Sequence, residues 1–368
     1  MVIGLWLATL LIALLTLLPL WRHDAWWVRG LDFPRLQLTV LALLIIIMQL
    51  LLADLSELSQ WPMLLITCGC FMFQLWWILP YTPLFPKEVK STAANSSSAC
   101  ISILNANVLT SNRNAAGLIA MVRQHQPDIL VTLESDSWWQ QQLDQLSDSY
   151  PYSVKCPLDN LYGMHVYSRL PLHNPALQFL VEEGVPSVHA EVELSDGSHI
   201  AVHFLHPAPP SPTENDSSAE RDAELLIVAA SVKKAQIPVI VAGDLNDVAW
   251  SETTRLFRKI SGLLDPRIGR GMYNSFHADI PVMRWPLDHL FHSSHFTLMQ
   301  LQRLPSFGSD HFPMLIRLCY TGRQQPHQGL TPDPDDKQLA RQKMAAQAVV
   351  PEQVHRPEML AGSGVAVV

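Results

Sequence analysis

The sequence predicts an α/β domain of short buried strands, set behind an apolar N-terminal segment. Two observations predict the domain. Val239-Ile240-Val241-Ala242 is an apolar run that follows Pro238 and stops at Gly243-Asp244, the pattern of a strand buried on both faces. Ile129 to Leu133 repeats it and stops at Glu134, with a helical pattern over Ala115 to His125 before it. Strands that end at polar residues with a helix between them describe an open α/β arrangement whose strand ends gather a site. The third observation is hydropathy. Val2 to Leu20, Leu36 to Ala53 and Met63 to Tyr81 carry no charge over 19, 18 and 19 residues, near the roughly 20 that span a bilayer as helix.

Trp21, Trp26, Trp27, Trp61, Trp76 and Trp77 cluster at the ends of these runs, as an interfacial belt does. No basic stretch precedes the first run and no small-x-small site follows it, so a cleaved signal peptide fits badly. Three spans put the first loop and the main domain on one side, and that side carries Arg22, Arg29, Arg35, Lys87 and Lys90. The excess of Lys and Arg places it in the cytoplasm. The expected organisation is an anchor over 1–82, a flexible linker over 83–99, a catalytic domain over 100–319 and a disordered tail over 320–368, helical at most from Asp336 to Ala348. Residues 1–99 and 320–368 each balance their charges, so the net charge of −8 falls on the domain between them. An acidic domain is a poor generic binder of nucleic acid. Cys100, Cys156 and Cys319 are an odd three without a close pairing pattern, which favours a reducing compartment.

Along the domain, Cys100 to Leu104 is a strand ended by Asn105-Ala106-Asn107. Glu134 follows its apolar run either as a site residue or as part of the start of the helix that holds Trp138 and Trp139. His165 and Tyr167 alternate with apolar neighbours as in a half-buried strand. Val188 to Leu194 and His199 to Leu205 form a hairpin around Ser195-Asp196-Gly197-Ser198, and the second strand ends at His206-Pro207. Arg221 to Lys234 is an amphipathic helix leading into Val239 to Ala242. After Asp244-Leu245-Asn246-Asp247, Ser251 caps a further helix. Trp285 to Phe291 is a strand with Asp288 inside it, and a buried Asp needs a partner such as His. Ser309-Asp310-His311 precedes a last strand from Met314 to Leu318.

The polar residues at the strand ends are Asn107, Glu134, His206, Asp244, Asn246, Asp288, Asp310 and His311. Hard oxygen donors of this kind suit Mg²⁺ or Mn²⁺ better than Zn²⁺, whose reading would rest on His289, His292 and His295. A cation held by Glu134 and Asp310 could neutralise a phosphodiester oxygen and the leaving group. Asp244, held by Asn246, could orient or deprotonate a water. His311, polarised by Asp288, could protonate the leaving oxygen or stabilise the transition state. The reaction is metal-assisted, in-line phosphoester hydrolysis.

Taken in order, Asn107, Glu134, His206, Gly243-Asp244-Leu245-Asn246, Leu287-Asp288-His289 and Ser309-Asp310-His311-Phe312-Pro313 resemble the endonuclease/exonuclease/phosphatase superfamily, and its membrane-anchored bacterial members most. The resemblance covers about 100–319. It implies a four-layer sandwich of two packed β-sheets with helices outside, and a divalent metal at Glu134 with Asn107 and Asp310 nearby. It further implies Asp244 and Asn246 acting on nucleophile and phosphate, His206 on the phosphate, and Asp288 with His311 as a dyad. Two segments depart from it: Asn274-Ser275-Phe276 where Thr-Trp or Thr-Phe is usual, and Leu205-His206-Pro207 where Thr-His-Leu is usual. His203 is a rival for the role of His206. The expected protein is a Mg²⁺-dependent hydrolase of ester bonds (phosphodiesterase, endonuclease or phosphatase) at the bacterial inner membrane. Its substrate would be nucleic acid, a phospholipid headgroup or a small phosphoester. The competing reading is a catalytically silent, membrane-tethered binding module. A transporter is disfavoured by the absence of charge inside the spans.

Overall fold

The computed structural model describes residues 1–93, 99–327 and 329–357. The chain divides into two compact units. One comprises Met1–Pro86, Pro210–Ser218 and Gly269–Gly271, and the other Lys87–Pro209, Ala219–Ile268 and Met272–Val368.

The first unit contains α1 (Val2–Leu17), the short α2 (Trp26–Arg29), α3 (Arg35–Leu52) and α4 (Trp61–Ile78). Among the described residues three segments are long and apolar enough to cross a membrane: Val2–Leu20, Arg35–Leu52 and Leu58–Tyr81. Leucines cover their outer faces, and Ile12, Ala42 and Ile45 pack between them. Polar groups inside this packing pair with one another across the helices, although Gln49 Oε1 has no partner among the described residues. Gln49 Nε2 donates to Thr9 Oγ1 at 2.8 Å and to Thr67 Oγ1 at 2.9 Å.

The second unit is a four-layer sandwich. In chain order it contains β1 (Cys100–Asn107), α5 (Ala115–His125), β2 (Ile129–Leu133), α6 (Ser137–Leu143), β3 (Tyr152–Cys156), β4 (Met164–Ser168), β5 (Leu172–Gln178), β6 (Ser187–Glu193) and β7 (His199–Leu205). Then follow α7 (Ala219–Val232), β8 (Val239–Asp244), α8 (Glu252–Ser261), β9 (Asp288–His292), β10 (Phe296–Arg303), β11 (Met314–Tyr320) and α9 (Pro334–Ala346). One sheet has the order β10-β11-β1-β2-β4-β3 and the other β5-β6-β7-β8-β9. Each is antiparallel except for one parallel pair, β1 with β2 and β7 with β8. Parallel neighbours need a crossover, and α5 and α7 supply the two. Ile101, Ile103, Val131, Val202, Phe204, Ile240 and Ala242 fill the space between the sheets. Leu118, Val122, Leu104 and Leu130 close the α5 side, and Leu225, Val228, Ala201 and Val241 the α7 side.

The expected helices and central strands are present, with Ser251 capping α8 through a bond from Thr254 N at 2.9 Å. Four expectations are corrected. β4 is buried throughout rather than half-buried. Residues 87–92, expected to be linker, pack on the sheet. Val89 enters the inter-sheet core, and Lys90 O and Thr92 N pair with Leu298, while 94–98 lie outside the described residues. Within the segment expected to be a tail, the helix expected from Asp336 to Ala348 is present as α9, but it is packed: it starts at a capping box on Asp333 and buries Ala340 and Met344 against α7, followed by Val349 and Val354; 358–368 lie outside the described residues. Finally, Cys100 and Cys319 form a disulfide. They stand 219 residues apart in sequence but directly opposite in the β1–β11 register, a pairing that spacing alone does not reveal.

Candidate active site

The site is the polar continuation of the inter-sheet core. Side chains alternate along a strand, so the face of β1 that contributes Ile101 and Ile103 to the core ends in Asn105 and Asn107. Ile240 and Ala242 of β8 lead in the same way to Asp244. Four of the expected residues, Asn107, Glu134, His206 and Asp244, stand at or just beyond the carboxyl ends of the two parallel pairs. Gly243 makes the approach possible: a Cβ on it would lie 1.9 Å from Leu205 O, and its φ is +149°.

Asp244 is the hub. Its Oδ2 accepts from Asn107 Nδ2 at 3.2 Å and lies 3.4 Å from His311 Nε2 and 3.9 Å from His206 Nε2. Its Oδ1 accepts from Asn246 N at 3.0 Å. Asn107 Nδ2 also donates to Glu134 Oε1 at 2.7 Å. His311 Nδ1 donates to Asp288 Oδ2 at 2.8 Å, which forms the expected dyad. Asp310 precedes His311, held by Ser309, whose hydroxyl donates to Asn107 O at 2.8 Å and reaches Asp310 Oδ1 at 3.4 Å. The structure thus brings all eight residues to one end of the sandwich. Asn246 is tied back, its Nδ2 donating to Pro207 O at 3.0 Å. Glu134 is not a helix cap: Asp136 caps α6 through Trp139 N, and Glu134, at φ 58°, projects from the strand end.

The electrostatics separate these groups. Burial works against the Asp244 charge, but His311, His206 and the bonds from Asn246 and Asn107 outweigh it and hold the carboxyl below its usual range. Burial disfavours the His311 imidazolium, yet Asp244 and Asp288 reverse this and raise it to about 10. His206 is pushed down to about 4 by burial, which Asp244 only partly offsets. Glu134 is raised to about 7, chiefly by burial and further by Asp310 and Asp244, against the Asn107 bond and His311.

The rivals fall away. His203 lies in β7 and its Nδ1 is 2.7 Å from His189 Nδ1, away from this cluster. His289 Nδ1 contacts Arg267 at 2.7 Å and its Nε2 contacts Asp247 O at 2.8 Å. His292 Nδ1 contacts Ser293 O, and His295 Nδ1 contacts Ser293 Oγ, so these rings do not converge as a zinc site. Ligand atoms of Asp244, Asp288 and His311 do lie within 4.8 Å of one another. Both nitrogens of His311 face carboxylates there, so a shared proton already supplies the positive charge. Glu134 fits a cation better. It is a half-buried carboxylate which, among the described residues, makes no ion pair with Lys or Arg, and Asp310 stands beside it with a second carboxylate, while Asn107 turns its Nδ2 toward Glu134 and its Oδ1 accepts from Leu109 N at 3.1 Å.

Sequence reasoning missed Asn105, Ser275 and Tyr162. Asn105 Nδ2 donates to Asp288 Oδ1 at 2.9 Å. Ser275 Oγ accepts from Asp288 N at 3.0 Å and Leu287 N at 3.2 Å, and the Tyr162 ring lies 5.4 Å from that of His206. The period-two spacing of Asn105 and Asn107 was the available signal for the first.

The profile described as "Endonuclease/Exonuclease/phosphatase family" matches residues 104–311. The chain belongs to this family. Solved structures share its fold. D. rerio TDP2, complexed with single strand DNA product, is 19% identical over 60% of this chain and 98% of that one, with a TM-score of 0.51. The human Nocturnin catalytic domain with bound sulfate anion is 20% identical over 61% and 94%, at 0.49. A family protein from Bacteroides thetaiotaomicron is 16% identical over 61% and 99%, at 0.49. Comparison with curated protein sequences gives no match. Members of the family are hydrolases acting on phosphoester bonds, and its enzymes are generally divalent-metal dependent.

Proposed function

We propose that this family member is a membrane-anchored phosphoester hydrolase that uses Mg²⁺ or Mn²⁺ and cleaves a P–O bond by in-line attack of water. The carrying observation is Asp244, an ionised buried carboxylate within reach of Asn107, His206 and His311 at once. Glu134 and Asp310, with Asn107 once its amide turns its Oδ1 inward, would hold the cation, which supplies the positive charge that neutralises a phosphoryl oxygen and the leaving oxygen. Asp244 orients the attacking water and takes its proton as the new P–O bond forms and the bond to the leaving oxygen breaks. Asn246, fixed by Pro207 O, holds the loop that presents Asp244. His311, protonated at neutral pH, stabilises negative charge on the phosphoryl oxygens, and Asp288 keeps its ring in place. His206, neutral, hydrogen-bonds the phosphate.

The surroundings of Asp310 favour a phospholipid-type phosphoester. Phe276 and Trp285 pair to form the base of a hairpin, and Ala278 N donates to Asp310 O at 2.7 Å. The tip exposes Ile280 (39%), Val282 (73%) and Met283 (46%). Arg284 and Arg303 flank Phe312 at 5.1 and 4.3 Å. Apolar and cationic groups together suit an anionic headgroup with acyl chains. Nucleic acid is the second reading, favoured by the fold shared with D. rerio TDP2 and opposed by the acidic domain. The test is full-length protein in nanodiscs, assayed with a phosphodiester lipid, single-stranded DNA and a water-soluble phosphodiester. Val282→Asp is expected to reduce lipid turnover about tenfold and leave the soluble substrate unaffected. DNA cleaved faster than lipid by wild type would overturn the lipid reading.

Two observations about membrane side oppose each other. The charge bias of the first loop favours the cytoplasmic face of a bacterial inner membrane, while the Cys100–Cys319 disulfide favours an oxidising compartment. An alkaline phosphatase fusion after Val368, which keeps α9 in place, decides: activity means the oxidising side.

A further inference from the structure

We infer that Asn105 is a positioning residue for the Asp288–His311 pair, an inference that rests on the hydrolase reading above for its catalytic consequence. Asn105 lies in β1 of one sheet and Asp288 opens β9 of the other. The bond from Asn105 Nδ2 to Asp288 Oδ1, 2.9 Å, therefore crosses the gap between the sheets. Asp288 Oδ2 is taken by His311 Nδ1 at 2.8 Å. Each carboxylate oxygen has its own donor, one fixed by each partner, so the carboxylate plane cannot turn without breaking a bond. The Asp288 main chain is held independently by Ser275 Oγ.

An apolar residue would be the cheaper choice at position 105 if packing were all that mattered. The position continues the stripe of Ile101 and Ile103 and is only 3% exposed. Asn105 also keeps an amide oxygen without a hydrogen-bond partner, and lines a small cavity of about 20 Å³ with Arg267, Asp288 and His289. That volume accepts a single water. A buried amide half-satisfied by protein is a cost, and the observed return is the second donor on Asp288. Removing it leaves Oδ1 bare in a buried site and frees the carboxylate to rotate, which releases the His311 ring.

The experiment compares full-length wild type with Asn105→Ala and with Asn105→Leu, which nearly conserves volume and folds even if the Ala cavity is not tolerated. Circular dichroism checks the fold. Expected is a fall in kcat of about tenfold or more with KM within about twofold. In an Asp288→Asn background the same substitutions are expected to have no further effect on kcat. Independently of turnover, the low-field imidazole N–H proton signal of His311, identified by its loss in His311→Ala, is expected to shift or broaden in folded Asn105→Leu. An unchanged signal in that variant overturns the inference whatever the activity, as does a kcat loss that persists undiminished beside Asp288→Asn. If wild type hydrolyses nothing, the hydrolase reading fails, while the proton signal still decides the role of Asn105.

Discussion

Two buried histidine pairings in the same sandwich have opposite electrostatics. His311 lies between Asp244 and Asp288 and is raised to about 10. His203 lies against His189 and is lowered to about 3, chiefly by burial and further by His355. Both rings are buried, and burial alone favours the neutral imidazole. The carboxylates make the difference: they turn a neutral packing residue into a held cation. Histidine content and burial therefore say little about function, and the partners at the ring nitrogens say most of it.

This comparison can be broken at several points. Asp244→Ala removes the hub, and loss of turnover by about a thousandfold or more is expected in steady-state assays. Asp288→Asn keeps the shape but removes one of the charges holding the His311 proton, and kcat is expected to fall by at least about a hundredfold. Cation binding is expected to weaken by about tenfold per pH unit below pH 7, because Glu134, raised to about 7, must lose its proton to serve as a ligand; Mn²⁺ titration by calorimetry at successive pH values reads the slope. The smallest effect belongs to the other pair. His203→Phe is expected to leave kcat within about twofold and to cost about 1–3 kcal/mol, since His189 loses its buried partner. The folded pKa of His203 lies below the unfolded value. Its contribution to stability is therefore full above the ordinary imidazole value of about 6.5 and is lost as pH falls toward 3. Denaturant melts across that window are expected to lose part of their acid limb in His203→Phe.

Central strands and their polar ends were legible because parallel strands buried on both faces read as unbroken apolar runs, as at Val239–Ala242 and Ile129–Leu133. β3, β5 and β10 were not. β3 is largely exposed, β5 contains Pro175 and a register shift between His173 and Ala176, and β10 shifts register between Leu298 and Gln300. Beyond Tyr320 the helix was legible but its packing was not, because only scattered residues, Ala340, Met344, Val349 and Val354, enter the core. At the site, the residues that close strands were found by position. Asn105 and Ser275 act across the gap between sheets and on backbone, relations that no local sequence pattern encodes.

The most direct measurement is hydrolysis of bis-p-nitrophenyl phosphate by the full-length protein, with Mg²⁺, Mn²⁺ or EDTA, beside Asp244→Ala. The account predicts turnover that requires the cation and vanishes in the variant. Turnover that survives both EDTA and Asp244→Ala, or no turnover of this or any phosphoester with either metal, would contradict it.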